Sequence, residues 1–214
     1  MRFRFRHIAG SDAGFSLVEL MVVTSLLGVV LGAAYMVIGT VTKISDQIMA
    51  RESAQSSGQL AVERMTREIR QAQLVQSSST GQNVYFKQAI TGTSIIFFAD
   101  VDHNGWLDKV TYSVVGGKLI RTVANSNRQL APTSPDNFGS DSAPQTLATV
   151  DPSNTTIFTP EDANGQPTAA QAKTTAIQVT LSTIAKSGLE TQSVDFPPVW
   201  VEIRSYGPGY GINQ

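Results

Sequence analysis

The chain of 214 residues contains no cysteine and only two histidines, His7 and His103. The absence of cysteine excludes disulfides, thiolate nucleophiles and zinc–thiolate sites. A nucleophile–histidine–carboxylate triad needs a histidine between its other two members, and two histidines make such a site improbable. The composition therefore argues against an enzyme.

Two further shortages concern charge and proline. The formal net charge is only −1, so no basic excess indicates nucleic acid as the main partner. Proline is absent before Pro132. No proline therefore stops a helix before about Val75.

A long uncharged run follows a basic N-terminus. Leu20–Ile38 comprises nineteen residues without a charge, and Arg2, Arg4 and Arg6 precede it. As a helix this run would reach about 28 Å, close to the thickness of the hydrocarbon layer of a bilayer. Positive residues before such a span hold that end in the cytoplasm. We therefore expect a single-pass cytoplasmic (inner) membrane protein with its globular part outside.

Three interpretations of this segment compete. The first is a plain membrane anchor. The second is a secretory signal peptide, cleaved at the small residues of 32–34. The third accounts for Glu19, a carboxylate just inside the apolar run, where its cost in lipid marks a functional residue. Glu19 follows a short basic leader that ends at Gly14 and an apolar run that opens with Phe15.

At these residues the sequence resembles the type IV prepilins and the pseudopilins of type II secretion. Their signature is a leader ending in glycine, a cut before Phe or Met, and Glu at the fifth mature position. Residues 14–21, Gly-Phe-Ser-Leu-Val-Glu-Leu-Met, match that signature. The resemblance implies that prepilin peptidase cuts between Gly14 and Phe15 and methylates the new amine. It also implies that Glu19 meets the N-terminal amine of a neighbouring subunit, a pairing that offsets the cost of two separately buried charges.

The pattern beyond the apolar run is amphipathic and predicts that the helix continues to about residue 75, with Gly39 and Gly58 as candidate bends. Residues 63–72 alternate charged and apolar side chains and resemble the same helix of minor pilins and J-type minor pseudopilins. Their charges, Glu68 among them, are expected on a solvated helix face.

Short β-branched and aromatic runs follow from Ser77, so the predicted fold class is α+β, a long helix packed on an antiparallel sheet, as in pilins. Gly116-Gly117 between two such runs indicates a hairpin. The predicted strands are 84–86, 94–101, 109–115, 118–123, 177–181 and 199–203, and short pieces at 145–150 and 155–159 are candidates for further strands. The predicted organisation is a leader at 1–14, a transmembrane and filament-core half of the helix at 15–38, an amphipathic half at 39–75, and a globular domain at 76–214 with a long loop at 125–170.

Residues 100–108 place oxygen-bearing side chains at the spacing of a cation-binding loop. The predicted calcium ligands are Asp100, Asp102, Asn104 and Asp108, and Gly105 permits the sharp turn. The glutamate expected at the twelfth position of such a loop is replaced by threonine. The alternative is a β-turn whose Asp and Asn side chains satisfy their own backbone.

The resemblance makes the leading hypothesis a structural minor subunit of a type IV pilus, similar to PilW-like minor pilins. The alternatives are a minor pseudopilin of type II secretion and an accessory pilin that binds a ligand or DNA. The implied partners are prepilin peptidase, other pilin or pseudopilin subunits and the inner-membrane assembly platform. A DNA-binding role would require basic side chains on one face, and the candidates are Arg121, Arg128, Lys173 and Lys186.

Overall fold

The computed structural model describes residue 14 and residues 16–73, 75–76, 83–84, 90–126, 138–169, 173–188 and 190–203. The described part is α+β, as the sequence predicts. Its elements are α1 (Leu17–Arg70), β1 (Val75–Gln76), β2 (Asn83–Val84), β3 (Ser94–Ala99), β4 (Asp108–Val115), β5 (Lys118–Ala124), β6 (Gln145–Thr149), β7 (Phe158–Glu161), β8 (Ala176–Val179), β9 (Ser182–Ser187), β10 (Glu190–Asp195) and β11 (Val199–Glu202). The chain divides into two compact units, Met1–Asp46 and Gln47–Gln214.

Helix α1 runs through 54 residues without interruption. Neither Gly39 nor Gly58 interrupts it, because the hydrogen-bond ladder tolerates single glycines at a modest cost. In its first half, the hydroxyls of Thr24 and Thr42 each donate to the carbonyl four residues earlier, at 2.9 Å. These two hydroxyls are thereby satisfied within the helix.

The helix ends at Arg70, earlier than the predicted end near residue 75. The amides of Gln71 and Ala72 donate to carbonyls three residues earlier, at 3.1 and 3.0 Å, which tightens the last turn. The amide of Gln73 then donates to the carbonyl of Phe98 at 2.8 Å. This bond to a strand distant in sequence draws the chain out of the helical path, which local spacing cannot predict.

The largest sheet has the antiparallel order β3-β4-β5-β6. Its central hairpin turns at Gly116 and Gly117, whose φ angles of 57° and 72° require residues that tolerate the left-handed region. The predicted hairpin is confirmed. Its register places Tyr112 opposite Ile95 on one side and opposite Arg121 on the other.

Three smaller sheets complete the described part of the fold, with orders β11-β8-β7, β10-β9 and β1-β2. The apolar alternations at 177–181 and 199–203 correctly predict β8 and β11. The hairpin of β9 and β10 was not predicted, because almost every side chain of β10 is exposed and the strand carries no apolar alternation. Of the predicted strand 84–86, only its first residue lies within the described residues, in β2.

The predicted long loop at 125–170 contains two short strands among the residues that the structure describes, at or beside its candidate pieces. Residues 127–137 lie outside the described part, but β6 and β7 interrupt the remainder. Both lie in or beside the short pieces proposed at 145–150 and 155–159. Their apolar side chains, Ala148, Ile157 and Phe158, are buried in the core, and this burial favours strands over an irregular loop.

The core of the second unit joins the end of α1 to the sheets. Phe97 and Tyr112 stack with ring centroids 6.1 Å apart. The helix contributes Ala61, Met65, Ile69 and Ala72. All members of this core cluster lie between residues 61 and 203. The second unit therefore contains a complete hydrophobic core of its own.

Candidate functional site

The described N-terminal segment begins beside the predicted cleavage junction. Gly14 and Ser16 are exposed and precede the helix. The amide of Leu20 donates to the carbonyl of Ser16 at 3.1 Å, so the first helical hydrogen bond forms two residues beyond the predicted cut. The predicted leader residues 1–13 and Phe15 lie outside the described residues.

Glu19 lies in the first turn of α1. A carboxylate is favourable there, because the unpaired amides of a helix N-terminus carry a partial positive charge. Its neighbours Leu17, Val18 and Leu20 are 60–73% exposed. Within the described part of the chain, no cation forms an ion pair with Glu19. In an apolar environment this carboxylate would therefore require a positive group from another molecule or from the chain terminus.

Beyond the first turn, the apolar face of the helix is open. Every side chain from Ser16 to Ile44 is exposed. Helix α1 is long and apolar enough to cross a membrane by length and composition. So large an exposed apolar surface marks contact with lipid or with another protein.

The predicted cation loop connects β3 to β4, and three of its carboxylates converge. Asp100, Asp102 and Asp108 each offer an oxygen, and these oxygens all lie within 4.8 Å of one another. Asp100 follows the last residue of β3, and Asp108 opens β4 opposite Ala99. The strand pairing therefore brings together two carboxylates that are eight positions apart in sequence.

Asp108 is the buried member of this group, at 1% exposure. Neither of its carboxylate oxygens has a hydrogen-bond partner among the described residues. The pKa of Asp108 is raised to about 6, first by burial and then by the nearby carboxylates of Asp102 and Asp100. The backbone amide of Val101, which does not meet hydrogen-bond geometry, and the guanidinium of Arg121 lower this pKa, but by less than burial and Asp102 raise it. Without a cation, Asp108 is thus a buried carboxyl group that lacks the partners such groups normally have.

Asp100 and Asp102 organise the turn itself. The two oxygens of Asp100 accept the amides of Asn104 at 3.1 Å and Gly105 at 3.0 Å. Asp102 accepts the backbone amide of Asn104 at 3.2 Å and its side-chain amide at 2.7 Å. Each carboxylate oxygen that accepts one N–H retains further lone-pair capacity. The turn therefore pre-positions these oxygens without exhausting them.

The other loop residues have different roles. The side-chain oxygen of Asn104 accepts the amide of Trp106 at 2.8 Å, so this predicted ligand also braces the turn. His103 is exposed, with a φ angle of 58°. A positive φ angle is uncommon for a residue other than glycine. His103 adopts it because it lies in a tight turn.

A second turn of similar sequence provides a comparison within the chain. Asp162-Ala163-Asn164-Gly165 repeats the order Asp-x-Asn-Gly of residues 102–105. One oxygen of Asp162 accepts the amides of Asn164 at 2.8 Å and Gln166 at 3.0 Å. These two amides, with that of Gln166 the stronger, hold the pKa of Asp162 below its usual value. Asp162 is thus a carboxylate satisfied by its own turn, in contrast to Asp108.

A buried charged cluster lies elsewhere, between α1 and the four-stranded sheet. Glu68 is 5% exposed, which corrects its prediction as a solvated residue. It accepts hydrogen bonds from Tyr112 at 2.7 Å, Arg121 at 2.9 Å and Arg64 at 3.1 Å. The Tyr112 and Arg121 partners lie 44 and 53 residues away in sequence. Helical spacing relates Arg64 to Glu68 but carries no signal for these two partners on the sheet.

The electrostatics of the cluster agree with this pairing. Burial, followed by the Glu68 carboxylate, raises the pKa of Tyr112 well above its usual range. Burial alone would lower the pKa of Arg121, but its hydrogen bond and attraction to Glu68 raise it instead. Arg121 is therefore a structural cation. It is not available to the basic surface that a DNA-binding role would require, and Arg128 lies outside the described residues.

Comparisons with known proteins place the N-terminal segment in a family. Residues 10–35 match the model of the prokaryotic N-terminal methylation motif. Among curated proteins, no relative matches the chain. A solved chain with detectable similarity comes from the GspK–GspI–GspJ complex of the type 2 secretion system of enterotoxigenic Escherichia coli. It is 16% identical, and the alignment covers 67% of this chain and 96% of that one with a TM-score of 0.38. The N-terminal segment of this chain thus carries the prepilin-type methylation motif, which type IV pilins and pseudopilins share.

Proposed function

We propose that the chain is a structural subunit of a type IV pilus or a related filament. The observation that carries this proposal is the methylation motif at residues 10–35, within which α1 begins at Leu17, together with the exposure of the helix side chains as far as Ile44. In a soluble protein such a surface would be a liability. In a subunit that is first held in a membrane and then packed against identical or related helices, it is the assembly surface.

The proposed precursor spans the inner membrane once. The basic leader stays in the cytoplasm, and the second unit, Gln47–Gln214, lies on the other side. Thr24 and Ser25 suit this span, because their hydroxyls already have partners within the helix. The anchor therefore exposes few unsatisfied polar groups to lipid.

Prepilin peptidase then cuts between Gly14 and Phe15 and methylates the new amine. The supporting features are the glycine before the cut, the exposure of Gly14 and Ser16, and the start of the helix at Leu17. A non-helical stretch is easier for a peptidase to bind in extended form than a residue inside a helix. Other pilin or pseudopilin subunits and the inner-membrane assembly platform are the partners of the processed chain.

The cut itself is the direct test. Intact-mass measurement and N-terminal sequencing of membrane-extracted protein should show a chain that begins at Phe15 with a methylated amine. Gly14→Leu should leave the precursor uncut, because a large side chain replaces the smallest one at the scissile bond. A mature chain that begins at Tyr35 would instead indicate a secretory signal, and an uncut wild-type Met1 a plain anchor. Either result contradicts the proposed function.

A further inference from the structure

We propose that Asp100, Asp102 and Asp108 bind a hard divalent cation of the calcium class, which closes the connection between β3 and β4. The geometric basis is the convergence of their oxygens within 4.8 Å of one another. A second, independent observation is the state of Asp108, which is buried at 1% exposure with both carboxylate oxygens unpartnered.

The unpartnered oxygens of Asp108 require a physical explanation. A buried polar group without a hydrogen bond loses its hydration and receives nothing in exchange. The nearby carboxylates of Asp100 and Asp102 worsen this situation, since three like charges repel one another. A bound cation would supply the missing partner for Asp108. It would also offset the repulsion among the three carboxylates. No described basic side chain forms an ion pair with Asp108 in its place.

The donor set selects the class of cation. Carboxylate oxygens without histidine or cysteine nitrogen or sulfur favour hard cations. Calcium takes six to eight oxygens in flexible arrangements, so loop carbonyls and water can complete its shell. Magnesium requires a near-ideal octahedron. Asp100 and Asp102 are committed to turn amides in positions set by the backbone, and this arrangement suits the more permissive ion.

The turn at Asp162 shows what the same sequence pattern does without a cation site. There the carboxylate accepts two turn amides and its pKa is lowered. The Asp100–Asp108 loop uses Asp100 and Asp102 for that purpose and adds Asp108, which the turn does not need. The third carboxylate therefore distinguishes a cation site from a self-satisfied turn.

Thermal unfolding of the full-length chain in detergent tests the site. Protein freed of metal with a chelator is compared with the same protein at about 10 mM calcium or magnesium. For a Kd of about 10⁻⁴ M, calcium should raise the melting temperature by about 5–10 °C, and magnesium by less. Asp108→Asn should abolish the rise, because it removes the buried charge and keeps the shape of the side chain. Asp162→Asn is the matched control and should keep the full rise.

Direct binding provides a second measurement that does not depend on stability. Isothermal titration with calcium should show one site in the wild-type chain and none in Asp108→Asn. Trp106 lies inside the loop, and the chain has two tryptophans, so Trp200→Phe leaves Trp106 as a single fluorescent reporter. Its emission should change at the same calcium concentration as the heat signal.

The outcomes separate clearly. A wild-type chain without a calcium-dependent shift or heat signal would overturn the proposal and leave an acidic turn. So would an equal loss of the response in Asp108→Asn and Asp162→Asn, which would indicate non-specific ion binding. Neither measurement requires a cleaved leader or a filament, so each can fail or succeed independently of the proposed filament function.

Discussion

Glu68 is the buried charge at which α1 meets the four-stranded sheet. It accepts hydrogen bonds from Tyr112 and Arg121, and both side chains are themselves buried. A buried ion pair contributes little net stability compared with apolar residues of the same size, but removing one partner leaves the other charged and desolvated. The cluster therefore fixes which helix face packs on β4 and β5.

Glu68→Ala should lower the free energy of unfolding by about 3–5 kcal/mol, because Arg121 would remain as an uncompensated buried cation. Glu63→Ala is the control on the same helix. Glu63 is exposed, and its removal should change stability by less than about 0.5 kcal/mol. Urea unfolding followed by tryptophan fluorescence measures both variants. Equal effects of the two substitutions would show that Glu68 carries no special structural role.

Helix α1 approaches β9 closely at Gly58. The hydroxyl of Thr183 in β9 donates to the carbonyl of Ala54 at 3.2 Å, one turn before Gly58. A Cβ at Gly58 would lie 2.3 Å from the ring of Phe196 and 3.1 Å from the methyl group of Thr183. Gly58 thus serves as a packing site. Its lack of a side chain admits an aromatic ring against the helix backbone.

Gly58→Ala should therefore destabilise the second unit by about 1–3 kcal/mol, although alanine is the better helix former. Phe196→Leu combined with Gly58→Ala should recover part of this loss, because the smaller side chain removes the clash. Gly39→Ala is the control, since no atom lies within 4 Å of its added Cβ. A stabilising effect of Gly58→Ala in urea unfolding would contradict the close packing.

The two units of the chain differ in how they bury their apolar side chains. The second unit has a complete core, whereas the described first unit is a helical segment with exposed apolar side chains. Under the proposed function, folding of the globular unit and assembly through the N-terminal helix can therefore be disturbed separately. Substitutions at Glu68 and Gly58 should act on stability, and substitutions at Glu19 on assembly.

Glu19→Ala should leave cleavage and membrane insertion intact and impair incorporation into the filament. Removing a carboxylate from an apolar segment eases insertion. In the assembled filament, the amine that it meets would lose its counter-charge, at a cost of about 3–5 kcal/mol. This cost corresponds to a drop in incorporation of about two to three orders of magnitude.

Two measurements on one strain check this expectation. Immunoblots give the ratio of processed to unprocessed chain, and sheared filaments give the amount incorporated. Ser16→Ala is the control, because it changes a side chain beside the same junction without removing a charge. Normal incorporation of Glu19→Ala would exclude a pairing between Glu19 and the N-terminal amine. A block at cleavage would instead indicate that the peptidase recognises Glu19.

The sequence alone was enough to predict the membrane-length helix, the methylation motif, the Gly116-Gly117 hairpin and the spacing of the acidic loop. These features depend on local chemistry, such as a run of apolar residues, a turn that needs φ > 0, or carboxylates a few positions apart. Only the folded chain shows that Glu68 is buried, that Gly58 lies against Phe196, and that Asp108 is cut off from solvent. Each of these depends on a partner or a surrounding core brought near by strand pairing and helix packing, and such long-range contacts leave no periodic trace in the residues themselves.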